Sequence, residues 1–224
     1  AQAQAQAQAQ GSSAKEAVDE EVEEVAVEDL QLGDDEVAAL LGPTPPCALR
    51  LPDGRRVLCD APSEALYIID EIFRRECYVP AASGITLPVA PAAVIVDGGA
   101  NVGLFSLWVA ARCPMAHLVA VEPSARTYGL LHANVAAAGL TSRTTLLRLA
   151  LGAAPGTAQL TYYPRMPGNS TLHPAAQWEA RVAFREERRR SMYESKQVAA
   201  ARASMWLCCN RRAARVPWCR VPHL

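Results

Sequence analysis

The chain has 224 residues, half of them apolar, with 22 basic and 23 acidic side chains and a net charge of −1. That length and composition suit one globular domain with tails, and the near-neutral balance gives no support to a nucleic-acid partner. No apolar run approaches the roughly 18 residues of a membrane span, so no membrane partner is expected, and seven irregularly spaced cysteines without a Cys-x-x-Cys pair suit reduced thiols in a cytoplasmic chain.

In chain order, Ala1 to Gln10 alternates Ala with Gln and leads into Gly11-Ser12-Ser13, a low-complexity linker expected to be disordered. Lys15 is the one base among the acids between Ala14 and Glu36, whereas arginine dominates from Arg181 onward. Residues 1–46 therefore read as an acidic head. In it Val18, Val22 and Val25 stand at helical spacing, and Asp34 can cap a short helix through Leu41 that Gly42-Pro43 ends.

Folded structure is expected from Cys47. Ala48 to Leu51 and Arg56 to Cys59 flank Pro52-Asp53-Gly54 and predict a hairpin. Ser63 can cap a helix with Leu66, Ile69, Ile72 and Phe73 on one face, stopping before Pro80. Strand and helix then alternate. Val94-Ile95-Val96 is a short strand, Val102 to Arg112 a helix ended by Pro114, and Leu118 to Val121 a second strand. Ser124 to Gly139 bounds a second helix, and Thr145 to Leu151 is a third strand. This alternation predicts a mostly parallel sheet covered by helices. A further strand, Thr157 to Tyr163, follows the turn Ala154-Pro155-Gly156.

The sharpest motif is Asp97-Gly98-Gly99-Ala100-Asn101-Val102-Gly103, at the handover from first strand to first helix. Open α/β sheets bind ligands there, at the carboxyl ends of their strands. Gly98 and Gly99 let the backbone turn and approach a ligand, and Gly103 lets the helix pack closely on the sheet. A dinucleotide fingerprint occupies the same place, but here its third position is Ala100 and Asp97 stands directly before the glycines. A carboxylate there repels a pyrophosphate and favours a ligand carrying ammonium and sulfonium charge, such as S-adenosylmethionine. Glu122 ends the second strand about 20 residues further on, where an acid can accept hydrogen bonds from both ribose hydroxyls.

Val96 to Ser106, with Val121-Glu122-Pro123, resembles the FkbM family of class I O-methyltransferases. Glu71 to Tyr78 is similar to that family's lead-in helix, and Gly168-Asn169-Ser170-Thr171 to a motif after its third strand. The resemblance implies a Rossmann-like class I methyltransferase fold over residues 47–173, with S-adenosylmethionine as methyl donor and a small-molecule hydroxyl acceptor on a sugar, polyketide or similar metabolite. It places Asp97, Gly99, Asn101 and Gly103 around the methionine part of the cofactor, Glu122 at the ribose and Ala150 at the adenine edge, with Gly98 and Ala100 also among the cofactor-binding residues. The family's fourth strand, with its Asp-Val-Glu-Gly type motif, has no match after Thr171, so the sheet is expected to lack its C-terminal strands. No catalytic base is assigned, because His117 and His132 suit structural roles and His173 offers little more. A non-catalytic fragment that binds cofactor weakly, or serves as an interaction piece, is the alternative.

Residues 174–224 read as a basic tail: one long helix from Ala175 to about Ser204, then an irregular end that resembles a frame-shifted sequence. Zinc binding by Cys208, Cys209, Cys219 and His223 fits no finger spacing. Without a fourth strand, the strand at Val94 is expected to expose an apolar edge open to self-association, or to docking of Ala203 to Cys209.

Overall fold

The computed structural model describes residues 23–24, 35–88, 90, 93–179, 182 and 212–220. The linker at 1–13, the valines at 18, 22 and 25, and the stretch 203–209 lie outside the described residues.

The first layer is antiparallel: β1 (Glu23–Glu24) pairs with β2 (Cys47–Arg50), which pairs with β3 (Arg56–Cys59), Leu49 opposite Val57. The predicted turn closes with Leu51 N–H donating to Arg55 C=O at 2.7 Å, and Gly54 takes φ +87°, a conformation that costs a residue with a Cβ. Between β1 and β2 lies α1 (Asp35–Leu41), the short helix anticipated from Asp34. It buries Val37 and Leu41, and Leu41 belongs to the main core. Packing thus begins ahead of Cys47, because two apolar residues one helical turn apart give the helix a face to bury.

A helix follows, α2 (Pro62–Ile69), widened into a π-turn over Asp70–Arg74. Ser63 does not cap it: Ala61 holds the N-cap position and Pro62, whose fixed φ suits a first helical residue, starts it. Ile69 and Ile72 are buried, with Leu66 and Phe73 packed at the margin, as the periodicity predicts.

The central unit is parallel. Strand β4 (Val94–Gly98) leads to α3 (Leu104–Arg112), β5 (His117–Val121), α4 (Ala125–Ala137) and β6 (Thr144–Leu147), in sheet order β4-β5-β6. This mixed α/β arrangement fits a Rossmann-like fold. Helix α3 starts at Leu104 and not Val102, since Gly103 sits at φ +91°. It buries Leu107, Trp108 and Val109 completely. Its end is held by Arg143, whose guanidinium donates to the carbonyls of Ala110, Cys113 and Ala116, a cation where the helix dipole is negative. Helix α4 ends in a Schellman turn: Gly139 at φ +67° donates to Ala136 C=O, and Leu140 N–H to Val135 C=O. Among the described residues β4 has no partner on its outer side, and Val94 and Val96 are 61% and 43% exposed.

The expected third strand is broken. Leu149 N–H turns back to Leu147 C=O, and the chain resumes as β7 (Ala150–Gly152), then β8 (Gly156–Tyr162). Between these two lies β9 (Arg212–Arg220), parallel to β7 and antiparallel to β8. The irregular C-terminus is therefore corrected to a nine-residue strand. The facing edges of β7 and β8 are both paired by this third strand. Of the long tail helix, residues 174–179 and 182 are helical; the remainder to Ser204 lies outside the described residues. No helix among the described residues is long and apolar enough to cross a membrane.

One side chain joins the layers. Asn134 of α4, 1% exposed, accepts from Leu58 N–H at 2.7 Å and donates to Leu58 C=O at 2.9 Å and Val102 C=O at 2.8 Å. Asn134→Leu removes three bonds and strands a buried N–H and two carbonyls. At about 1–3 kcal/mol for each buried group left unsatisfied, a loss of roughly 3 kcal/mol or more is expected. Urea denaturation checks it, with the exposed Arg74→Ala staying within about 0.5 kcal/mol.

Candidate functional site

The glycine loop connects the end of β4 to α3, and the end of β5 organises it. Val121 C=O accepts from both Gly99 N–H and Ala100 N–H at 2.9 Å, and Glu122 Oε2 accepts from Asn101 N–H at 3.0 Å. Three successive amides thus point at two consecutive residues. Gly99 at φ +82° and Asn101 at φ +52° supply the left-handed turns this needs, the second at a residue type that tolerates them. Gly103 N–H closes the loop on Ala100 C=O. A Cβ on Gly103 would lie 2.8 Å from Leu131 Cδ1, so the glycine is what lets the loop sit against α4.

Asp97 lies beneath the first turn of α3. Its Oδ2 accepts the Ser106 hydroxyl at 2.6 Å, and the backbone N–H of Ser106 donates to the same carboxyl. Ser106 is the third residue of α3, so a carboxylate of the chain occupies the helix N-terminus, where a phosphate would otherwise bind. Burial pushes the Asp97 pKa up against these bonds.

Glu122 is 7% exposed and uses both oxygens, Oε1 accepting from Ser124 N–H at 2.8 Å. Its pKa is pushed up to about 7 by burial, opposed by the N–H bonds from Ser124 and Asn101 and raised further by Asp97. Ser124, expected to cap α4 with its side chain, makes no such bond; its hydroxyl accepts from Thr127 instead.

The residues from Asp97 to Gly103 and Glu122 are thus gathered at one place. Gly98 and Gly99 are exposed, and above Gly99 no atom lies within 4 Å of a Cβ position, leaving room for a ligand. Ala150 is 5% exposed at the start of β7, and its neighbour Leu151 lies over Gly98, 2.9 Å from a Cβ position there. His117 is not part of the site: it begins β5, at the opposite end of the sheet from the loop, and bonds Thr145 Oγ1.

One contributor escapes a sequence reading. Glu64 of α2 accepts from Gly168 N–H at 3.1 Å and from Asn169 Nδ2 at 3.4 Å, tying the Gly168-Asn169 turn to the glycine loop's flank. An acid in the first turn of a helix is ordinary, so nothing local marked Glu64. The turn it holds had been singled out by resemblance alone. Among the described residues no group of acids, histidines and cysteines could hold a metal ion.

Comparison with known proteins finds methyltransferases. The chain is 43% identical over 111 residues to methyltransferase sdnD of Sordaria araneosa, covering 50% of this chain and 40% of that protein. It is 32% identical over 128 residues to the 31-O-demethyl-FK506 methyltransferase FkbM of Streptomyces tacrolimicus, covering 57% and 47%. This is an FkbM-like sequence. Methyltransferase 1 of Beauveria bassiana is 34% identical over 110 residues, covering 49% and 41%. The chain spans less than half the length of these curated relatives. No family model and no solved structure matches it.

The site has a pH signature. Glu122, Asp97 and Glu64 all have pKa values raised by burial, so the folded state binds more protons than the unfolded chain above the ordinary carboxylate range. The contribution of these three acids to the stability of the ligand-free protein is therefore greatest at low pH and falls as pH rises towards the Glu122 value of about 7. The Glu122 share is on the order of 3 kcal/mol. Asp53, whose pKa is lowered by Arg55, works the other way. Melting temperatures from pH 5 to 8 should fall in the parent chain and flatten in Glu122→Gln; equal slopes would show that Glu122 does not titrate in this range.

Proposed function

We propose that this chain holds the cofactor-binding part of an S-adenosylmethionine-dependent O-methyltransferase acting on a hydroxyl of a sugar, polyketide or similar metabolite. The observation that carries the reading is the Asp97 carboxylate on the N-terminus of α3. With that position filled and the amides of Gly99, Ala100, Asn101 and Gly103 bonded internally, the loop has little left to offer a pyrophosphate. The same acids suit a ligand carrying ammonium and sulfonium charge. The methyltransferase names of the relatives support the reaction class.

In this reading the cofactor supplies an electrophilic methyl group. Asp97 and the Gly98-Gly99 backbone orient its methionine part, with Asn101 and Gly103 shaping the same wall. Glu122 keeps lone pairs for the ribose hydroxyls after accepting one N–H on each oxygen, and Ala150 borders the adenine. The loop's contribution to rate is positional. Methyl transfer needs the acceptor oxygen in line with the carbon–sulfur bond, and holding two reactants so is worth up to about 7–11 kcal/mol.

Calorimetry with S-adenosylmethionine, S-adenosylhomocysteine and NAD tests the reading. Both adenosyl ligands should bind more tightly than NAD, and Asp97→Asn should narrow the gap by weakening them. Tighter binding of NAD would overturn the assignment.

A further inference from the structure

Two cysteines face each other across the first hairpin. The register of β2 on β3 sets Cys47, the first residue of one strand, opposite Cys59, the last residue of the other. Leu51 N–H donates to Arg55 C=O at the turn, and in an antiparallel ladder every second pair is hydrogen-bonded. Two steps of two further out, Cys47 and Cys59 are such a pair, with Cα atoms about 5.5 Å apart. Leu58 agrees with this phase, since its N–H and C=O turn away from β2 to Asn134. Residues directly opposite send their side chains to one face, and a Cα spacing of about 5.5 Å is what a disulfide commonly spans.

Both thiols are reduced, and their surroundings differ: Cys47 is half-buried, whereas Cys59 is 2% exposed. Burial first, and then the Cys47 sulfur beside it, push the Cys59 thiol up to about 12. Cys59 therefore stays protonated and shielded, and Cys47 is the member of the pair that a dissolved reagent reaches. Opposed Cβ atoms in a ladder lie about 4.5–5.5 Å apart, and a disulfide draws them to about 3.5–4.5 Å. A bond formed by pulling two strands together is more readily reduced than an unstrained one, which suits reversal.

We propose that Cys47 and Cys59 are a reversible thiol–disulfide pair, oxidised by a small disulfide such as glutathione disulfide. The Cys47 thiolate attacks one sulfur of glutathione disulfide, forming a mixed disulfide and releasing one glutathione thiolate. The Cys59 sulfur, giving its proton to solvent, then attacks Cys47 Sγ and releases the second glutathione thiolate. The two thiolates take up the two protons that the cysteines lost. Two protein thiols thus become one disulfide, and one glutathione disulfide becomes two glutathione thiols. The bond fastens the open end of a hairpin whose other end the Leu51–Arg55 turn already closes. It does so one residue before Asp60, whose two oxygens accept from Arg126 of α4.

Peptide mapping of the folded full chain tests the pair. Trypsin, cutting after Lys and Arg, releases Cys47 in peptide 16–50, Cys59 in peptide 57–74 and the exposed Cys77 in peptide 76–112. The chain is treated with glutathione disulfide in excess over glutathione, its remaining thiols are alkylated in denaturant, and the digest is weighed by mass spectrometry. Peptides 16–50 and 57–74 should appear joined, lighter than their sum by two hydrogen atoms, and excess glutathione should separate them again. Finding them separate after oxidation would overturn the pair, with glutathione on peptide 76–112 showing that the oxidant had acted. A bond from either cysteine to a different one, or a bond that glutathione leaves intact, would overturn it equally. In Cys47→Ser, peptide 57–74 should keep its thiol under the same treatment, because the group through which oxidation enters is gone. Glutathione on Cys59 in that variant would refute the order of attack.

Discussion

The site depends on one convergence: the backbone amides of Gly99, Ala100 and Asn101 all donate to the Val121 carbonyl and the Glu122 carboxylate. A loop rich in glycine has much conformational entropy to lose, and ordering one residue costs on the order of 1–2 kcal/mol. Three bonds aimed at adjacent residues of β5 offset part of that cost and fix the loop before any ligand arrives. The same bonds consume the donors that a phosphate would need. Rigidity and the proposed ligand preference therefore have one origin.

That convergence requires β4 and β5 in register and α4 close behind the loop. The register comes from parallel pairing of Asp97 with Ala120 and Gly98 with Val121, which brings the loop level with Glu122. The close approach comes from Gly103 against Leu131, and from Asn134 binding Val102 C=O on the loop side and Leu58 on the hairpin side. A polar residue at the centre of an apolar core is here fully satisfied, and it sets the depth at which the first layer meets the second.

Where local chemistry decides structure, the sequence was legible. Pro52-Asp53-Gly54 announced its hairpin, Gly139 its helix end, and Asp97 to Gly103 the turn from strand to helix, because each works through backbone angles set by a few neighbouring residues. The misses are of another kind. Ser63 and Ser124 are good caps in isolation, but Pro62 starts α2 and Glu122 takes the Ser124 amide. The Leu147-Leu149 turn splits an apolar run that reads as one strand, since no periodicity marks where a ladder changes partner. Strand β9 pairs with residues far back in the chain, and Glu64 meets Gly168 across a separation of 104 residues; neither leaves a local trace. The legible part of the site was its backbone, and the hidden part was the set of side chains brought to it by tertiary packing.

The electrostatics of the assembled site follow from that packing. Asp97, Glu122 and Glu64 come from three different elements, and burial raises the pKa of each. Asp97 also raises Glu122 directly. The bonds they receive come from backbone amides, a hydroxyl and a side-chain amide, all neutral donors. Neutral donors orient a carboxylate without cancelling its charge, so the ligand-free fold carries a desolvation cost that a hydrophobic or salt-bridged arrangement would avoid. A ligand bearing positive charge and hydroxyl donors removes that cost on entry, whereas an anion adds to it. The penalty in the ligand-free fold and the proposed preference for a cationic ligand are therefore two expressions of the same three acids.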